Sequence, residues 1–277
     1  MRLGGQVFLK DKNPESWALA HKQAGFRAAT CPIDREDQLP ELDLYLKAAS
    51  EHDIIISEVG AWSNPISPNE QTRREAIAYC RKRLELAERI GAAVCVTIAG
   101  SRGEQWDGPH PDNFSTDTFD LIVETVRNII DAVKPERTAF ALEMMPWVFP
   151  DSADTYLELI QAIDRQGFGV HFDPVNIISS PRSYYRNGDL IRDFFHKLGP
   201  HIRNCHAKDT LLRGNLTVHL DEVIPGLGML DYRTFLTELH KLHPDTPLMI
   251  EHLKSNEEYR QAADYIRGVA AELRIPL

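Results

Sequence analysis

AFALEMM, residues 139–145, is the stretch on which the reading of the fold turns. Side chains alternate across a strand, so Ala139, Ala141 and Glu143 share one side while Phe140, Leu142 and Met144 share the other. Small residues ending in a carboxylate suit a crowded inner surface, and bulky apolar residues suit a face covered by helices. FGVHFDP at 168–174 repeats the arrangement with Gly169, His171 and Asp173 on the inner side. IRNCHAK at 202–208 places Asn204, His206 and Lys208 there, and PLMIEHL at 247–253 places Met249 and Glu251.

Outward from these runs the same rhythm covers the chain. Four earlier strand candidates are LGGQVF (3–8), FRAATCPI (26–33), IIISEVG (54–60) and AVCVTIA (93–99). Longer amphipathic segments separate them. Ile77, Cys80, Leu84 and Ala87 line one helical face, and Phe119, Val123, Val126, Ile130 and Val133 line another. Asn13-Pro14 reads as an N-cap followed by proline in the first helical turn. Ser255 with Glu258 reads as a capping box. Gly25, Gly91, Gly167 and Gly199 sit where helices should stop. Strands alternating with helices eight times predict a parallel sheet with right-handed crossovers. No glycine-rich phosphate loop follows the first strand, which favours a closed (β/α)8 barrel over an open doubly wound sheet. Residues 1–277 are expected to form one α/β barrel domain, with chemistry at the C-terminal ends of its strands. The longest loops, about 100–115 and 209–231, follow strands four and seven.

Bulk properties narrow the function. The chain has 277 residues and a formal charge of -10, which favours small-molecule work over nucleic acid, since nucleic acid demands a basic footprint. Its four cysteines, Cys31, Cys80, Cys95 and Cys205, form no C-x-x-C pair and read as reduced, buried thiols of a cytoplasmic protein. No run approaches the ~20 apolar residues of a membrane span. MRLGGQVFLK does not read as a signal peptide.

Glu143, Asp173, His206 and Glu251 therefore stand at matching ends of four successive strands. Any one of them alone would read as a solvated rim residue or a satisfied polar group. Together they make a mostly hard donor set that suits Mn²⁺ or Mg²⁺, with Co²⁺ or Zn²⁺ as further candidates. Unpaired carboxylates are costly in a barrel core, so a metal-free binding barrel leaves them unexplained.

LEMMPW around Glu143, VHFDPVN around Asp173, CHAKD around His206, PGLGMLDY at 225–232 and MIEH around Glu251 resemble the xylose isomerase-like TIM barrel superfamily. That superfamily holds sugar isomerases and epimerases and the AP endonuclease family 2 type of repair enzyme. The resemblance covers essentially the whole chain and is specific for the superfamily, not for one substrate. It implies that Glu143, Asp173, His206 and Glu251 bind a metal and that Glu143 and Glu251 serve as catalytic bases. Two departures count against a ketohexose 3-epimerase. Asn176 stands where many such enzymes carry a histidine, and Phe149 where they carry a glutamate. Strand four ends in Ile98-Ala99 with no histidine, which leaves a trinuclear nuclease site incomplete.

The expected activity is that of a divalent-metal-dependent isomerase or epimerase of a sugar, keto-sugar or inosose, abstracting a proton next to a carbonyl through an enediolate. The alternative is a lyase or dehydratase acting on a keto-inositol or keto-glycoside by the same abstraction. Lys208 shares a face with His206 and is a catalytic candidate, or else part of a barrel salt bridge. His171, one inward layer below Asp173, reads as an orienting neighbour of the metal. Trp62, Trp147, Asn176 and Arg213 are candidate substrate contacts, while Glu58, ending strand three, either reaches the site or stands at the rim, the rim being the favoured reading. Arg102, Trp106 and His110 belong to the long fourth loop, a candidate lid. The expected partner is a small carbohydrate or polyol-derived molecule. Neither nucleic acid nor membrane is expected, and a homo-oligomer is in keeping with the family.

Overall fold

The computed structural model describes residues 1–10 and 13–277. The barrel strands in chain order are β1 (Arg2–Gly4), β2 (Ala28–Thr30), β3 (Ile55–Gly60), β4 (Val94–Ile98), β5 (Phe140–Glu143), β6 (Phe168–Phe172), β7 (Ile202–Ala207) and β10 (Pro247–Ile250). They close in the order β1-β10-β7-β6-β5-β4-β3-β2, the expected (β/α)8 barrel. Two further strands, β8 (Asp209–Arg213) and β9 (His219–Val223), form a separate antiparallel hairpin. The helices are α1 (Pro14–Gln23), α2 (Leu42–Glu51), α3 (Glu70–Ile90), α4 (Thr116–Val133), α5 (Ala153–Ile163), α6 (Pro181–Tyr185), α7 (Asn187–Leu198), α8 (Tyr232–Leu239) and α9 (Asn256–Leu273).

By contact density the chain divides into two compact units. One comprises Glu58–Ile177 and His196–Arg203, and the other Met1–Ser57, Ile178–Phe195 and Asn204–Leu277. In the first, β4, β5 and β6 pair in register, Ile98 with Glu143 and Glu143 with His171. Paired residues of a parallel sheet face the same side, so the inner surface carries Val94, Val96 and Ala141 as a dry cluster beneath Glu143. In the second, Met249 pairs with His206 and Gly4 with Met249. Gly4 must be glycine here: a Cβ would lie 2.3 Å from the Ala28 carbonyl oxygen and 2.4 Å from Met249 Sδ.

Local chemistry explains where the elements start and stop. Asn13 Oδ1 accepts the Ser16 amide at 2.9 Å, and Pro14 opens α1. Ser255 Oγ accepts the Glu258 amide at 3.2 Å, but the Glu258 carboxylate reaches back to the Lys254 amide, so the capping box is only half made. Gly25 and Gly91 end α1 and α3 in the left-handed conformation, at φ 70° and 68°. Gly167 does not play that part, while Gly199 follows directly on the last residue of α7 without that conformation. Asp164, at φ 48°, ends α5 three residues before Gly167, and Gly199 opens a 3-10 turn. Gly167 is small for packing, since a Cβ would lie 2.9 Å from Pro135 Cγ. The buried face of α4 is also turned from the expected one. It runs through Ile122, Val126, Ile129 and Ile130, while Phe119 packs edge-on against Phe149 with ring centroids 5.6 Å apart.

The strands are shorter than the apolar runs that announced them. β6 stops at Phe172 because Asp173 Oδ1 accepts the Val175 amide at 2.9 Å, turning the chain out of the ladder. β10 stops at Ile250, and His252 adopts φ 59°, a left-handed conformation that costs a non-glycine residue energy. All four cysteines are free and buried. No helix among the described residues is long and apolar enough to cross a membrane.

Candidate metal centre

The first unit supplies two carboxylates. Glu143 is the last residue of β5 and is 6% exposed. Asn176, in the turn after β6, donates from Nδ2 to Glu143 Oε1 at 3.2 Å and to the Met144 carbonyl at 3.1 Å. The amide thus fixes the carboxylate relative to its own backbone. Asp173 is fully buried one residue beyond β6. Tyr156 of α5 ties the two strands from the helix side. Its hydroxyl donates to the Leu142 and Gly169 carbonyls, at 2.7 and 3.0 Å, and accepts the Leu142 amide at 3.3 Å. Burial drives this phenol well above its ordinary pKa, so it stays a neutral donor.

The second unit supplies a ring and a carboxylate. His206 on β7 is fully buried, and Lys208 just beyond β7 is 2% exposed. Glu251 follows β10. Its Oε1 lies 2.9 Å from His206 Nδ1 and 2.6 Å from Lys208 Nζ. Burial pushes the Glu251 carboxyl upward, but the charges of His206, Lys208 and His252 outweigh it and hold the group well below the usual carboxylate range.

One donor atom from each of Glu143, Asp173, His206 and Glu251 lies within 4.8 Å of every other. Oxygen and nitrogen donors each ~2.1–2.3 Å from a shared ion stand roughly 3–4.5 Å apart, so the set fits a divalent ion. The donor chemistry agrees: three hard oxygens and one imidazole. Glu58, His171 and His206 form a second such group on the same distance criterion. Glu58 is 6% exposed, which corrects its reading as a rim residue. His171, fully buried, lies in the layer expected of an orienting neighbour.

Loops complete the surroundings. Trp147 is anchored, its Nε1 donating to the Asp107 carbonyl at 2.6 Å and its own carbonyl accepting from Asn113 Nδ2 at 3.0 Å. Phe149 packs edge-on against Phe114 and Phe119 and holds the loop by apolar contact. Trp62 is 41% exposed and folds back over Gly60, where a Cβ would lie 2.5 Å from its Nε1. Arg102, Trp106 and His110 border a cavity of about 440 Å³ that opens beside the start of α3. Arg213 is not gathered into the buried cluster. It pairs with Asp221 across the hairpin at 2.7 Å, with both side chains 48% exposed.

Two residues carry more than the sequence reading assigned them. Asp209 accepts the amides of Thr210, Leu230, Gly226 and Gly228 at 2.8–3.1 Å, pinning the PGLGML turn to the base of β8. Burial still raises its pKa despite these four donors. Glu222 on β9 approaches Lys208 Nζ at 3.7 Å and His252 Nδ1 at 3.1 Å. Glu222 left no signal in the sequence, because its segment reads as a polar loop.

A closed α/β barrel with carboxylates and a histidine clustered at its strand ends defines a class of barrel enzymes. Within that class the chain belongs to the xylose isomerase-like TIM barrel family, whose description matches residues 19–269. Among solved structures it is similar to a D-tagatose 3-epimerase-like protein, at 19% identity and TM-score 0.74 over 99% of this chain and 98% of that one. It is similar to the probable 3-DHS dehydratase AsbF of petrobactin synthesis from Bacillus anthracis, at 17% identity and TM-score 0.71 over 97% and 98%. A Mycobacterium smegmatis xylose isomerase-like TIM barrel protein in complex with magnesium matches at 16% identity and TM-score 0.66 over 95% and 90%. No curated protein sequence matches the chain significantly. At these identities the structural likeness establishes the fold. Membership of the family supports an enzyme acting on a small carbohydrate.

Proposed function

We propose that this chain, acting as one domain, is a divalent-metal-dependent isomerase or epimerase of a sugar, keto-sugar or inosose, with Mn²⁺ the best fit and Mg²⁺, Co²⁺ or Zn²⁺ able to substitute. The observation that carries the proposal is the convergence of Glu143, Asp173, His206 and Glu251 within 4.8 Å. A divalent ion held by them supplies Lewis acidity toward a carbonyl and its neighbouring hydroxyl. The chain's own groups do the rest. Glu143 or Glu251 removes the proton beside the carbonyl, and the pair returns it to the other face or the neighbouring carbon. Asn176 keeps Glu143 aimed, and Lys208 places a buried positive charge where the enediolate develops. Trp62 and the cavity beside Arg102, Trp106 and His110 suit the distal part of a polyol. The fold's likeness to a probable dehydratase favours, as a second reading, a lyase that starts with the same abstraction and ends by expelling a leaving group. A homo-oligomer in the cytoplasm, without nucleic acid or membrane partners, completes the proposal.

The deciding experiment begins with metal content after Mn²⁺ loading and dialysis. About one equivalent per chain is expected. Keto-sugars and inososes are then screened for deuterium exchange in D₂O. Exchange with no loss of a group marks the epimerase, and exchange with elimination marks the lyase. Near three equivalents of metal would point to nuclease chemistry, and no retained metal would overturn the site.

A further inference from the structure

Lys208 lies between two carboxylates of different kind. Glu251 Oε1 is 2.6 Å from its ammonium and belongs to the metal cluster. Glu222 Oε2 is 3.7 Å away and stands outside that cluster, on the hairpin. The Lys208 side chain is 2% exposed, so drawing negative charge away from its ammonium is expensive. Glu251 can serve a metal fully only if it yields part of its charge from Lys208. Glu222 is built to take over. β8 starts at Asp209, immediately after Lys208, and Asp209's four amide contacts fix the base of the hairpin. Glu222 sits in register with Thr210, one residue past that base. His252 Nδ1 lies 3.1 and 3.2 Å from the two Glu222 oxygens and holds that carboxylate, while its Nε2 is 3.6 Å from Glu251 Oε1.

We infer that Glu222 is a positioning residue: the reserve counter-ion of Lys208, which frees Glu251 for metal binding. The inference rests on the proposed metal site and adds to it an acidic residue supplied by the β8–β9 hairpin. It acts through Lys208, so its effect should require Lys208.

The test is Mn²⁺ titration calorimetry on the full chain, comparing wild type with Glu222→Gln, Glu222→Asp, Lys208→Met, the double variant Lys208→Met/Glu222→Gln, and His206→Ala as a site control. Residues that orient metal ligands typically change affinity ~10–100-fold when lost, and Glu222→Gln is expected to weaken binding by about tenfold. Glu222→Asp, which keeps the charge, should recover most of that loss. In the Lys208→Met background the Glu222→Gln change should shrink to less than about twofold, since the two residues then no longer couple. Lys208→Gln is the alternative background if Lys208→Met does not fold. Equal affinity in wild type and Glu222→Gln, with binding still abolished in His206→Ala, overturns the inference and leaves the metal site standing. An equal loss with and without Lys208 also overturns it, because the effect would then be general charge. If wild type itself binds no Mn²⁺, the site and the inference fall together.

Discussion

Glu143 and Glu251 are the same residue type at equivalent ends of two barrel strands, yet their surroundings differ in kind. Glu143 leans on a neutral amide, Asn176, that also grips the Met144 backbone. Glu251 faces two potential cations, His206 at 2.9 Å and Lys208 at 2.6 Å. Asn176 aims the first carboxylate by a directed hydrogen bond, and the second lies in direct contact with charge. A directed hydrogen bond depends on its donor's shape. A group fixed by charge depends on pH, on metal and on every ion nearby.

The largest effects should come from removing the clustered donor groups themselves. His206→Ala is expected to abolish metal retention, and Glu143→Gln or Glu251→Gln to lower deuterium exchange into the true substrate by about 10²–10⁴-fold. If either Gln variant keeps near-wild-type exchange, that carboxylate is not the base. Stability should then separate the glutamates. In the metal-free protein Glu251→Gln removes a carboxylate 2.6 Å from buried Lys208 and is expected to cost about 3 kcal/mol, more than Glu143→Gln, whose carboxylate accepts from the neutral Asn176 amide; thermal melts of both report the difference.

Acid should sharpen the contrast. Burial raises the Glu251 carboxyl while the charges of His206 and Lys208 lower it further, to a net value well below the ordinary 4.5. Its contribution to stability is therefore present above about pH 4.5 and is lost as pH falls through the lower folded-state value. Metal-free wild type should lose melting temperature steeply in that acid window, and Glu251→Gln should lose less. Equal slopes would mean that the charge network does not stabilise the fold. Tyr156→Phe, which unties the β5 and β6 backbones behind Glu143, is expected to cost about 1–3 kcal/mol by denaturant unfolding. The smallest effect lies on the surface of the other side. The Glu222 hydrogen bond chiefly raises the His252 pKa above 6.5, and NMR titration of Glu222→Gln should show it move downward.

Part of this contrast was legible in the chain. Period-two alternation in AFALEMM and FGVHFDP placed Glu143, His171 and Asp173 on the inner face, because alternation is a local property of any strand. Asn176 was noticed only as a missing histidine, since its hydrogen bond to Glu143 joins residues 33 apart in sequence. Glu58 was misjudged because position along a strand does not say how deeply the strand's end is covered. The β8–β9 segment, HLDEV included, has no strong apolar alternation. Its strands form because the Asp209 carboxylate gathers distant amides, and that contact cannot be read from composition.

The sequence by itself determined the alternation of strands and helices, the closed barrel that buries their apolar faces, and the four residues that end strands with metal-binding chemistry. All of these follow from near-neighbour periodicity and from the cost of burying unpaired carboxylates. Only the tertiary structure decided what each candidate ligand leans on: Asn176 for Glu143, and the Lys208 charge for Glu251, with Glu222 on the hairpin near that lysine. Those partners are set by loop closure and strand register, which bring together groups tens of residues apart and leave no periodic trace in the chain.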